Sequence, residues 1–138
     1  MLLKQTQDKN KMLVRRLYED CFNTGNLEVL AELLARDFTG GQGEKGSTGF
    51  GAIIAGLRRG FPDAHFTLED MFAEDDRVAV RWSLTATHKG PFAGVAASHK
   101  AVAQTAIAIY RIVDGKIHQA WLQADRLGLR QQIGGAPA

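Results

Sequence analysis

Residues 104–125, QTAIAIYRIVDGKIHQAWLQAD, carry the information that decides the fold. Two runs rich in β-branched and aromatic side chains, over 103–112 and 116–125, flank the dipeptide Asp114-Gly115. Asp-Gly is a strong hairpin signal, because both central positions of a type I′ turn need positive φ. An even-residue turn centred there pairs Ile112 with Ile117, Tyr110 with Gln119, Ala108 with Trp121, Ala106 with Gln123 and Gln104 with Asp125 on one face of the sheet. The opposite face then sets Thr105, Ile107 and Ile109 against Ala124, Leu122 and Ala120, a smooth apolar surface suited to a partner chain.

Upstream of this hairpin the period is also 2. Phe66, Leu68 and Phe72 alternate with His65, Thr67 and Glu69, and Val78, Val80, Trp82 and Leu84 alternate with Arg77, Arg81, Ser83 and Thr85, with the acidic turn Glu74-Asp75-Asp76 between the two strands. At least four strands are expected. Residues 89–100, with Gly90, Pro91 and Gly94, form a long link with room for a short extra strand. Before Phe61-Pro62-Asp63 the period is helical. Val14, Leu17, Tyr18 and Cys21 lie at i, i+3, i+4, i+7 in a helix ended by Gly25. Leu27, Leu30, Ala31 and Leu34 repeat the spacing after Asn26, an N-cap residue type, and Phe50, Ile53, Ile54 and Leu57 repeat it after Ser47. The expected class is α+β: three N-terminal helices packed on a curved, mostly antiparallel sheet that encloses a pocket.

A chain of 138 residues with formal charge +2 fits one globular domain over 1–138. Its basic residues are scattered, with Arg15-Arg16 and Arg58-Arg59 read as solvated helix faces, so the concentrated basic stripe that nucleic-acid binding requires is missing. The polar start after Leu3 lacks a signal-peptide core, and no apolar run approaches the ~20 residues that span a bilayer. A cytoplasmic protein with neither nucleic-acid nor membrane partners is expected. Cys21, the single cysteine, lies on the buried stripe of the first helix and reads as core. The tail over 134–138 is expected to fray.

The first face of the Asp-Gly hairpin is unusual for a core. Ala106 and Ala108 leave room beneath Trp121, while Gln104, Gln119, Gln123 and Asp125 bring polar groups that are costly to bury unpaired, so a wet or ligand-filled cavity explains them; exposure of this face near the sheet end is the alternative. Desolvated beside Trp121, Asp125 would be a general base for a carbon next to a carbonyl, and it is also placed to cap the turn that follows. His88, after Trp82, Leu84 and Ala86, reads either as a proton carrier at the pocket rim or as a strand-end histidine bonded to the Gly90 loop. Asp70 is a second pocket carboxylate unless it pairs with Arg81. Tyr18 and Phe22 read as lid or core. Gly41-x-Gly43-x-x-Gly46 matches the dinucleotide fingerprint in letters but lacks the preceding strand, so it reads as a flexible loop. The histidines show no metal-site spacing, and neither metal nor cofactor is expected.

Several motifs then resemble the SnoaL-like polyketide cyclases, within the cystatin-like cone fold: Phe61-Pro62-Asp63, Asp76-x-Val78-Ala79-x-Arg81-Trp82, Thr87-His88-x-Gly90-x-Phe92-x-Gly94, and Tyr110-Arg111-x-x-Asp114-Gly115-Lys116-Ile117-x-x-x-Trp121-x-x-x-Asp125. The resemblance implies a curved sheet around a hydrophobic pocket, a homodimer or tetramer, and cofactor-free intramolecular aldol chemistry with Asp125 as acid/base. The chain departs from the family pattern at Phe38-Thr39-Gly40-Gly41 and Ala97-Ser98-His99-Lys100, where Phe-Val-Asp-His and Pro-Thr-Gly-Lys are common. The expected function is a cofactor-free lyase or isomerase acting on a small apolar carbonyl compound. Asp125 and His88 are the candidate catalytic residues, and Trp121, Gln104, Gln119, Gln123, Trp82, Tyr110, Tyr18 and Asp70 the candidate substrate-binding ones. The rivals are a non-catalytic binding or assembly domain, its cavity plugged by Phe22, Phe50 or Phe92, and a cofactor-independent hydrolase or hydroxylase.

Overall fold

The computed structural model describes residues 2–134, so the tail from 135 onward lies outside the described residues. Helix α1 (Leu2–Arg16) runs into one π-helical turn, Leu17–Phe22. Val14, Leu17, Tyr18 and Cys21 are all buried, as their spacing predicts. The second expected helix is much shorter: α2 covers only Leu30–Leu33, and the chain extends at once into strand β1, Leu34–Thr39. Leu27 and Ala31 are exposed, and Asn26 caps no helix but closes a local turn by accepting the Glu28 N–H at 3.2 Å. Pairing of β1 with the last strand supplies the backbone partners that overrode the helical spacing. Helix α3 (Gly46–Gly60) buries Phe50 and Ile54; its N-cap is Lys45, with no side-chain bond, and Ser47 lies inside the helix.

Four long strands follow: β2 (His65–Glu74), β3 (Arg77–Thr87), β4 (Ala101–Val113) and β5 (Lys116–Ala124), closed by α4 (Arg126–Gln132). The sheet order is β1-β5-β4-β3-β2, antiparallel except for β1–β5. In the link over 89–100, Phe92 and Val95 form only an isolated bridge.

The turn is as expected, with positive φ at Asp114 (51°) and Gly115 (74°), but the register beyond it is not. Ile112 pairs with Ile117, the register then shifts with His118 as an extra residue, and Tyr110, Ala108 and Ala106 pair with Ala120, Leu122 and Ala124. Gln119, Trp121 and Gln123 therefore point outward beside Arg111, Ile109 and Ile107. A second shift at Glu69 in β2 pairs Asp70 with Arg81 and Phe72 with Ala79, leaving Phe72 71% exposed. One extra residue in one strand reverses every side chain beyond it.

The helical half is tied to the sheet by polar clamps. The Asn23 amide donates to the Phe66 carbonyl (3.1 Å) and accepts the Phe66 N–H (2.7 Å). Asp63 accepts the Thr87 N–H at 2.8 Å. Arg58, expected on a solvated face, instead turns inward and donates to the carbonyls of Phe22, Ala64 and Pro62. Gly90 sits so close to the Arg59 carbonyl that any Cβ there would clash. Arg58→Ala leaves the part-buried carbonyls of Phe22 and Ala64 without their charged donor, and is expected to cost about 2–4 kcal/mol, read as a lower urea midpoint at unchanged m-value.

Candidate active site

Between the concave sheet face and the helices lies a cavity of about 370 Å³, within the size range of ordinary small-molecule sites. Its wall is aromatic. Tyr18 stacks on Phe22 (centroids 5.0 Å apart), Phe22 meets Phe66 (4.9 Å), and Phe66 meets Trp82 edge-on (4.8 Å). On the β5 side the wall is made of Ala120, Leu122 and Ala124, small enough to leave the space open. Phe22, Phe50 and Phe92 line the cavity without filling it.

The polar groups in this wall are few and buried. The Tyr18 and Tyr110 hydroxyls lie 2.5 Å apart, and the two residues are 1% and 3% exposed. One O–H donates to the other, so the acceptor's own proton is free to donate to a third group. Burial pushes both phenols above the usual tyrosine range, and the Tyr110 hydroxyl adds to the rise at Tyr18; the Trp82 indole packs beside the pair. That indole N–H is buried without a hydrogen-bond partner. This aromatic part of the cavity thus presents neutral donors to whatever enters it.

Of the residues singled out in the sequence, Tyr18, Trp82, Gln104 and Tyr110 line the cavity together. Gln119, Trp121 and Gln123 do not, because the His118 bulge turns them outward; Trp121 is 41% exposed with the Arg77 guanidinium over its ring at 5.2 Å. Asp70 also faces outward and pairs with Arg81 at 2.7 Å. His88 is fully buried, but its Nδ1 accepts the Ser98 N–H (3.1 Å) and lies 2.9 Å from the Ser98 hydroxyl, the loop-bonded arrangement; its Nε2 is buried without a partner. Asp125 is exposed rather than desolvated. It caps α4 by accepting the Gly128 N–H at 2.9 Å, while its peptide carbonyl accepts from Gln104 Nε2 at 3.2 Å, and its chain neighbours Ala124 and Arg126 line the cavity. It stands at the rim. Cys21 is core, its thiol pushed up to about 11 by burial and then by the charge of Asp20.

Glu44, Arg126 and Arg130 also line the cavity, though nothing in the sequence pattern marked them. Among the described residues Glu44 is the one carboxylate in the lining; it lies over Gly40, where a side chain would collide with it, and accepts the Gln42 N–H at 3.2 Å. Among the described residues no cluster of His, Cys, Asp and Glu is placed to hold a metal ion, and no helix is long and apolar enough to cross a membrane.

The family model of the SnoaL-like polyketide cyclases matches residues 12–133. The chain belongs to that family. Two aklanonic acid methyl ester cyclases are similar to this SnoaL-like chain, DauD of Streptomyces sp. (strain C5) and DnrD of Streptomyces peucetius, each 32% identical over 133 residues. The matches cover 88% of this chain, 80% of DauD and 88% of DnrD. The solved structure of TsrD from Streptomyces laurentii superposes with a TM-score of 0.86 at 26% identity, covering 94% of this chain and 98% of that one. The fold is therefore the helix-covered cone of these proteins, and the chain is an enzyme of the polyketide-cyclase type.

Proposed function

We propose that this SnoaL-like chain closes a ring by an intramolecular aldol reaction on a small, largely apolar polyketide carbonyl compound, without metal or cofactor, as a cytoplasmic homodimer. The observation that carries the reading is the Tyr18–Tyr110 pair beside the unpartnered Trp82 N–H in an aromatic cavity. Aldol closure moves negative charge onto two oxygens in turn. A carboxylate takes a proton from the carbon next to one carbonyl, the enolate carbon attacks a second carbonyl, and the resulting alkoxide is protonated. Donors already oriented in a water-poor cavity stabilise that charge without reorganising. The product is an isomer of the substrate, so proton and charge balance close within the cycle.

The proton-abstracting carboxylate is assigned to Asp125, on the family resemblance and on its position at the rim between two lining residues. Incubation with an aromatic polyketide β-keto ester, with chelator present, is expected to give a product of unchanged mass and altered chromatographic mobility. Asp125→Asn keeps a good N-cap residue, hence the fold, while removing the charge; turnover should fall about 10²–10⁴-fold, the usual worth of a general base. Full activity in that variant, with loss in Glu44→Gln, would transfer the base to Glu44.

A further inference from the structure

We propose that Arg126 and Arg130 form an anion-binding end of the cavity, so that this cyclase takes a polyketide bearing a free carboxylate beyond its apolar ring system. The inference takes from the proposed function only the location of the substrate. Both arginines sit on α4 four residues apart, on one face of the helix, and both line the cavity. Neither takes part in an ion pair among the described residues; the same is true of Arg36 and Arg59, but those two do not line this cavity, whereas Arg15, Arg16, Arg77, Arg81 and Arg111 each reach a carboxylate and Arg58 donates to carbonyls. The Arg130 Nε–H is buried without a hydrogen-bond partner among the described residues. A buried donor on a charged group left unpaired is costly, and a ligand anion removes that cost. Nothing in the wall competes strongly for it: Glu44 is the lining's one carboxylate, and no ion pair joins it to either arginine among the described residues.

The planar guanidinium fork matches a carboxylate through two parallel charge-assisted bonds. An ester offers no charge and only a weak acceptor in the same place. DauD and DnrD are named for a methyl ester substrate; the arginine pair of this chain would favour the free acid over such an ester.

The test uses the purified full chain with anthraquinone-2-carboxylate and its methyl ester, with affinities read by calorimetry at low salt. The acid is expected to bind at least about tenfold more tightly than the ester, the worth of one charge-assisted pair. Arg126→Gln with Arg130→Gln should erase that preference by weakening the acid far more than the ester, and retained ester binding reports a folded cavity. Arg126→Gln alone, at an exposed position, should weaken acid binding in part. Equal affinity of the two probes, failure of both to bind, or a preference surviving in the double variant would overturn the proposal. Acid preference without ring closure of any polyketide would leave the anion site standing and remove the cyclase assignment; ring closure by the wild-type chain, with no acid preference, would do the reverse.

Discussion

Removing both hydroxyls of the buried pair, by Tyr18→Phe with Tyr110→Phe, is expected to lower kcat by about 10²–10³-fold, the usual loss when an oriented donor to a developing oxyanion is removed. The rings stay, so the stack on Phe22 and the packing against Trp82 stay with them. Each single variant should lose less activity, because the remaining phenol no longer has a partner to serve and can still donate to substrate. Stability should run in the opposite order. A single replacement strands one buried hydroxyl, at about 1–3 kcal/mol, whereas replacing both partners is close to neutral. A double variant that is both less stable and fully active would reduce the pair to a packing device.

The pH dependence follows from the direction of the shifts. Both phenols are held above the ordinary tyrosine range, chiefly by burial, so they remain protonated donors as pH rises through about 10. No loss of rate from phenol ionisation is expected there. Stability behaves differently: the unfolded chain releases these protons near pH 10 while the folded chain keeps them, so the stability they confer is complete below that pH and falls as pH rises above it.

Much of this site was legible in the sequence because its strongest signals are local. The Asp114-Gly115 turn, the alternation from Val78 to Leu84, and the helical spacing from Val14 to Cys21 each depend on a few neighbouring residues, and each places a cavity element: Tyr110, Trp82 and Tyr18. Gln104 was placed correctly for a weaker reason, since its inward position does not depend on the register of β5. Trp121, Gln119 and Gln123 were misplaced by one event, the extra residue at His118, and Phe72 by the matching event at Glu69. A bulge carries no compositional mark in these strands, and an alternation rule propagates the error to the strand end. Strand β1 was hidden because Leu34 completes a helical spacing, and its partner β5 lies some eighty residues away in the chain. Arg126, Arg130 and Glu44 converge only through tertiary structure.

The same two bulges assemble the outer face, and from it comes the largest expected effect on assembly. Register sets Phe72, Ala79, Ile109 and Trp121 in one row across β2, β3, β4 and β5, with Ile107 in the next row. Phe72 and Ile107 are 71% and 56% exposed, an apolar surface larger than isolated exposed residues account for. Around it lie the Asp70–Arg81 pair and Arg77 over Trp121, which gives the patch a polar rim. A two-fold contact of this face with its own copy would bury the row at its centre and explain why β2 and β5 both turn aromatic side chains away from the core. Ile109→Lys puts an ammonium at that centre. On the monomer it remains in water, so thermal stability should change little; in the dimer it must be desolvated, at several kcal/mol per ion. The dimer dissociation constant should therefore rise by about 10²-fold or more, read by sedimentation velocity across a dilution series, while Ile109→Val leaves it unchanged. A wild-type chain that sediments as a monomer at micromolar concentration, or an Ile109→Lys variant that stays dimeric, would remove this face from the assembly.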